Sequence, residues 1–195
     1  MKNFKWSVIS FDSSPIYVVL FVSRNKDNKH IENFVERRES FIAHYADGDY
    51  EKIRKRFNEF VLRGKKGELS RMYVSVNERN PEAIRKELLH FLIDNPDFNL
   101  CSIQPKLAGL AAQKQCAATK RWMFDFDSED AAELSCFLTD LQTMVDKNDI
   151  ETYKTPHGYA IVVDHGFDIR KLKEDWPDVT LKKDDLLCCD WGVKE

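Results

Sequence analysis

The sequence predicts a mixed α/β protein, and three observations carry that prediction. β-branched and aromatic runs such as Ile16–Ser23 (IYVVLFVS) alternate with stretches whose apolar residues recur at helical spacing. A hydrophobic share of 43%, with 13 phenylalanines, 6 tyrosines and 4 tryptophans, is enough for a packed core. The last third reads strand, helix, strand, strand, helix, strand, which is the ferredoxin-like or split βαβ order shared by RNA-recognition domains and several polymerase palms. The organisation expected is an N-terminal α/β part over residues 1–120, with basic helices, packed against an antiparallel, acidic, ferredoxin-like part over 121–195.

The elements follow in order. Ile16–Ser23 is long enough and apolar enough for a buried strand, paired with Lys5–Ile9 in a hairpin across Phe11–Pro15. From His30 to Tyr45, apolar residues at 31, 34, 35, 41, 42 and 45 predict a helix. A second helix, Asp49–Leu62, carries the stripe Ile53, Phe57, Phe60 and Val61. Gly64–Gly67 is a turn, and Arg71–Val76 alternates as a strand does. Asn80-Pro81 starts a helix whose core face is Ile84, Leu88, Leu89 and Leu92, ended by Pro96; Lys106–Ala117 is helical. Trp122–Phe126 is then a short strand, and Ser128 caps a helix reaching about Val145, with Glu129 and Asp130 in its first turn. Ile150–Lys154 and Tyr159–Val163 are strands around the turn Thr155–Gly158. Phe167–Trp176 is a helix, and Val179–Lys182 and Leu186–Cys189 form a hairpin about Asp184-Asp185.

Charge is divided unevenly. Residues 1–121 hold 22 Lys/Arg against 15 Asp/Glu, and residues 122–195 hold 8 against 18, for a net charge of −3. A basic half beside an acidic half suits a polyanion path next to a metal site, and suits an ordinary globular protein equally. No apolar run approaches the ~18 residues that span a membrane. Asp12 and Ser13-Ser14-Pro15 follow the first residues too soon for a secretory leader, so a cytoplasmic location and no membrane partner are expected. Five cysteines without C-x-x-C spacing read as small core residues rather than a disulfide framework or zinc site. Oligomeric state is not written in the sequence.

The residues that carry chemistry begin at Asp125. Asp125 and Asp127 stand one residue apart at an apolar strand end, so both side chains leave the same face. Two carboxylates there repel unless a cation lies between them, and Mg²⁺ or Mn²⁺ prefers such oxygen donors. Asp127 with Ser128 reads equally as the cap of the next helix, but that leaves Asp125 unexplained. In a sheet of order 4-1-3-2, this strand end lies beside the turn Lys154, Thr155, Pro156, His157, Gly158, whose backbone N–H groups, hydroxyl and cation suit a phosphate. If the last two strands form a hairpin, Asp190 returns to the same end as a third carboxylate; otherwise it is a surface aspartate.

Met123-Phe124-Asp125-Phe126-Asp127, Thr155-Pro156-His157-Gly158-Tyr159 and, loosely, Cys189-Asp190 resemble the archaeo-eukaryotic primase (primase-polymerase) superfamily, its smaller phage- and plasmid-borne members above all. Arg71–Asn77 and the helix after Pro81 resemble a segment upstream of the first motif. The resemblance implies a metal-dependent nucleotidyltransferase of phage or plasmid replication, acting with a nucleoside triphosphate on single-stranded or primed nucleic acid. Asp125, Asp127 and Asp190 would hold the metals, and Lys154, Thr155, His157 and Gly158 the nucleotide. One position departs from the family pattern: where its turn leads into a histidine, Ala160 stands here, with His157 inside the turn.

Arg54, Lys55, Arg56, Lys65, Lys66 and Arg121 are the candidates for a nucleic-acid path, and equally for solvated helix faces. His30, His44 and His90 lack a ligand partner at useful spacing. The Asp-x-Asp strand also resembles the first motif of haloacid-dehalogenase-like phosphatases, but Ser128-Glu129 stand where that fold needs glycine and threonine. The competing functional class is a non-catalytic nucleic-acid- or protein-binding module of RNA-recognition-like fold, with Trp122, Phe124, Phe126 and Tyr159 as the rings that could stack on bases. It requires those rings to be exposed.

Overall fold

The structure, a computed structural model, describes residues 15–44 and 49–195. It contains two four-stranded antiparallel sheets. The first has the order β2-β1-β3-β8, with β1 Ile16–Ser23, β2 Arg37–His44, β3 Leu69–Ser75 and β8 Leu186–Val193. Strand β1 lies inside it because its run is apolar on both faces. Helix α1, Asp49–Leu62, lays Ile53, Phe57 and Phe60 against Val19, Phe21, Phe41, Met72 and Val74. Phe21 sits at the centre of that cluster, with ring centroids of Phe41, Phe57 and Phe60 at 5.4, 5.3 and 5.8 Å. Each such buried ring contributes about 1.5–3 kcal/mol by transfer from water. On the other side α2 (Pro81–Asp94) and α3 (Ile103–Ala111) cover Ile16 and Val18 through Ile84, Ala108 and Ala111. Asn80 caps α2, accepting from the Glu82 and Ala83 amides, but of its expected core face only Ile84 is fully buried; Leu89 is exposed.

The helix expected over 30–45 is corrected: residues 37–44 form β2. Eight residue pairs with β1 outweigh the local pattern, placing Phe41 edge-on to Phe21 and Arg37 on the buried Glu68 carboxylate. The Lys5–Ile9 partner strand lies outside the described residues. Within them, β1 pairs with β2 and β3.

The second sheet has the order β5-β6-β4-β7, with β4 Arg121–Phe126, β5 Glu151–Thr155, β6 Gly158–Asp164 and β7 Thr180–Lys182. Counted from β4 this is the order 4-1-3-2 with every pair antiparallel. Helices α4 (Ala131–Leu141) and α5 (Arg170–Asp175) cover one face over Phe124, Phe126, Phe137 and Ile161. The cap of α4 is corrected by two residues. Asp130 accepts from the Ala132 and Glu133 amides at 2.7 and 3.4 Å, and Ser128 accepts only from the Asp130 amide. A carboxylate reaches those free N–H groups and meets the positive end of the helix.

The expected hairpin of the last two strands is also corrected. Strand β7 offers three residues, whereas β8 finds a seven-pair ladder on β3. The chain therefore enters the second sheet once and returns once. Both crossings meet at Asn77, which is buried: its side chain bonds Arg121, Lys183, Asp184 and Thr119, while Arg79 grips Asp184 with two nitrogens at 2.8 and 3.0 Å. Between the sheets lie Val76, Met123, Ala160, Val162 and Leu187. Cys116 and Cys188 are buried and Cys189 half-buried, while Cys101 and Cys136 are exposed; burial pushes the Cys188 thiol up to about 12. Among the described residues no helix is long and apolar enough to cross a membrane.

Candidate functional site at the inter-sheet cleft

Pleating divides β4 between two environments. Trp122, Phe124 and Phe126 turn toward the helices, where Phe124 and Phe126 are each 2% exposed. Met123 and Asp125 take the other face, opposite Val162 and Ala160 of β6, facing the first sheet. Asp125 is half-buried and Asp127, just past the strand, is exposed. Since Asp130 caps α4, helix capping does not account for Asp127. Ala160 packs in the inter-sheet apolar cluster directly across from Asp125.

The β5–β6 turn is seated on this strand end. Gly158 has φ +154, and a Cβ there would fall 2.1 Å from the Phe126 carbonyl oxygen and 3.0 Å from the Ser128 amide. Only a glycine allows the two backbones to approach so closely. Thr155 pairs with Gly158, and the Lys154 ammonium lies 4.6 Å from the Tyr159 ring centroid. The strand end and the turn expected to serve it are thus adjacent.

From this turn His157 reaches the first sheet. Its Nε2 lies 3.0 Å from Nη2 of Arg71, a β3 residue only 5% exposed. The same Nη2 donates to Asp27 at 2.8 Å, and Asp27 is bonded by Arg24 at 2.9 and 3.3 Å. Burial would raise the Asp27 carboxyl, but hydrogen bonds and charge from Arg24 and Arg71 outweigh it and hold the group below its usual range. Among the described residues, the buried Arg71 Nε has no hydrogen-bond partner. Burial also pushes the Tyr73 phenol up, with the nearby Cys188 adding to it.

Asp125 already has a cation. Lys182, diagonal to it on β7, places Nζ 2.7 Å from its Oδ2 and 3.4 Å from Asp185. Burial would lower the Lys182 ammonium, but the Asp125 carboxylate overrides that and raises it. Asp125 and Asp127 could hold Mg²⁺ or Mn²⁺, which commonly takes one or two carboxylates with phosphate and water completing the shell. Lys182 would then have to yield. Among the described residues no three His, Cys, Asp or Glu side chains are grouped to bind a metal by themselves.

Asp190 does not join this site. On β8 it pairs with Met72, whose side chain is in the α1 core, and its carboxylate lies 3.4 Å from Arg54 of α1. Neighbouring Trp191 pairs with Arg71 on the opposite face, the one His157 touches. The third-carboxylate expectation fails because the β7–β8 hairpin does not form.

The basic candidates are dispersed. Arg54 faces Asp190; Arg56 bonds Glu39 and lies 3.9 Å over the Phe41 ring; Lys65 donates to the Glu32 and Asn33 carbonyls; Arg121 pairs with Glu151 and Asp164. Lys55 and Lys66 are exposed. Two open surface hollows, one beside Glu39 and Arg63 and one beside Leu89 and Ile93, include no residue of the cleft.

Sequence reasoning missed Arg71, Asp27 and Lys182. Arg71 carried the signal that singled out Asp125, a charge inside an otherwise apolar strand. Compared with known protein families, curated proteins and solved structures, the chain matches none.

Proposed function

We propose that the inter-sheet cleft is a nucleotide site for metal-dependent nucleotidyl transfer of the primase-polymerase kind, acting on single-stranded or primed nucleic acid. The observation that carries the proposal is the seating of the Thr155–Gly158 turn on the Asp125–Asp127 strand end, enforced by Gly158 against the Phe126 carbonyl. That contact sets a turn bearing Thr155 and His157 beside the strand end that bears Asp125 and Asp127. Phe124 and Phe126 are buried beneath the helices, and Trp122 and Tyr159 are half-buried against the same cluster, which counts against an RNA-recognition-like module that stacks these rings on bases.

In this reading Asp125 and Asp127 hold Mg²⁺ or Mn²⁺, and Thr155, Gly158 and His157 bind the triphosphate, while Lys154 lies over the Tyr159 ring on the helix-covered face and stays outside the site. A bound divalent ion would neutralise the triphosphate and acidify the attacking hydroxyl. Arg71 holds His157 from across the cleft, and the buried Arg71–Asp27 pair keeps the turn from drifting. Lys182 holds the Asp125 carboxylate in an ion pair until the site is loaded. The Asp125–Lys182 pair also favours a second reading, in which the carboxylate is compensated within the protein and the cleft binds without chemistry.

The test is nucleotide incorporation on a primed template with Mn²⁺. The unmodified protein should extend the primer, and Asp125→Ala should lower the rate at least ~100-fold, as loss of a group acting on the transition state does. Extension by Asp125→Ala at the unmodified rate would reject the assignment. Tight nucleic-acid binding with no extension by either protein would favour the second reading.

A further inference from the structure

We propose that Arg71 is a positioning residue that fixes His157 in the form whose only ring proton is on Nδ1. A guanidinium carries donors only and stays protonated in proteins, so whatever lies within hydrogen-bond distance of it must accept. Nη2 of Arg71 is 3.0 Å from Nε2 of His157. That nitrogen therefore bears no proton, and the ring's one proton sits on Nδ1, on the other side of the ring.

The surroundings keep the guanidinium in place. Arg71 is 5% exposed and Asp27 holds the same Nη2 at 2.8 Å, so the group cannot turn toward water without leaving a buried carboxylate short of a partner. Asp27 is in turn clamped by Arg24. With Nε already buried and unpartnered, a further lost bond would leave Arg71 with a second unsatisfied donor. The two residues are 86 apart in sequence and belong to different sheets. The register of β3 in the first sheet thus selects the tautomer in a turn of the second.

The consequence for ligand binding rests on the nucleotide reading above. With Nε2 occupied, the exposed His157 offers a ligand a donor at Nδ1. Together with the Thr155 hydroxyl, the turn then presents groups that donate to an anionic oxygen. An imidazole protonated at Nε2 instead would present an acceptor, which repels phosphate.

The experiment is long-range proton–nitrogen correlation on protein labelled with ¹⁵N-histidine, assigned with a His157→Gln variant. The unmodified protein should show His157 with Nδ1 protonated and Nε2 bare. Arg71→Met should move it predominantly to the Nε2–H form, the one free histidine favours, and Arg71→Lys, which can still donate, should keep part of the Nδ1–H population. His157 in the Nε2–H form in the unmodified protein overturns the proposal, as does the same tautomer in Arg71→Met. Should Arg71→Met fail to fold, the unmodified spectrum alone decides. Addition of ATP with Mg²⁺ should shift the Nδ1 signal; an Nδ1–H tautomer that ignores ATP upholds the role of Arg71 and overturns the nucleotide reading.

Discussion

A carboxylate inside an apolar strand needs a compensating cation, and in this chain Lys182 supplies one to Asp125 at 2.7 Å. A divalent ion at Asp125 must displace that ammonium. The pair is half-exposed, so its net worth is on the order of 1 kcal/mol once solvent screening is allowed for. Lys182→Met should accordingly raise Mn²⁺ affinity about three- to tenfold in an isothermal titration, and unchanged or weaker binding would show that Lys182 does not compete. Asp125 was legible in the sequence because it interrupts an apolar alternation. Lys182 was not, since a lysine near a strand end is unremarkable until β7 is placed beside β4 in the observed register. Arg71 was legible in principle by the same criterion as Asp125, yet its partners Asp27 and His157 are 44 and 86 residues away and only tertiary packing brings them together.

At the scale of elements, the site depends on one backbone contact, the turn between β5 and β6 against the end of β4. Gly158→Ala would drive a methyl into the Phe126 carbonyl at a φ that side chains rarely adopt. It should cost at least ~2 kcal/mol in urea unfolding and weaken nucleotide binding. Gly109→Ala is the control: a Cβ there meets nothing within 4 Å in α3, so it should stabilise by about 0.5–1 kcal/mol. Equal effects at the two glycines would contradict the account. Helix α1, the Asn80 cap and the strands from β3 to β7 could be read from local periodicity and turn chemistry. Two elements could not. Residues 30–45 show helix-like spacing but 37–44 are held extended by β1, and the α4 cap is Asp130 rather than Ser128 because the helix begins at Ala131 and its first free amides are those of Ala132 and Glu133.

At the scale of the molecule, the described residues form two sheets tied at Asn77 and Arg79 and closed by the return of β8. That return was illegible from the sequence, because Leu186–Val193 is an equally good strand for either sheet and only the ladder available on β3 decides between them. Stability in acid is a property of the assembled chain. Asp27 and Glu68 are both held below their usual range: burial would raise each, but Arg24 and Arg71 outweigh it at Asp27, and the Lys65 amide and Arg37 at Glu68. With folded values below the unfolded ones near pH 4, their stabilisation is present in full above about pH 4 and is lost as pH falls through the lowered folded values. The urea midpoint should therefore hold steady down to about pH 4 and then fall, less steeply in Asp27→Asn; an identical slope in that variant would contradict the role given to Asp27. The most direct measurement of the central claim is paramagnetic broadening of backbone amide signals by substoichiometric Mn²⁺. Losses confined to 125–128 and 155–158, and abolished in the Asp125→Asn, Asp127→Asn double variant, are expected. Uniform broadening, or broadening centred on another acidic patch such as Asp168, would contradict it.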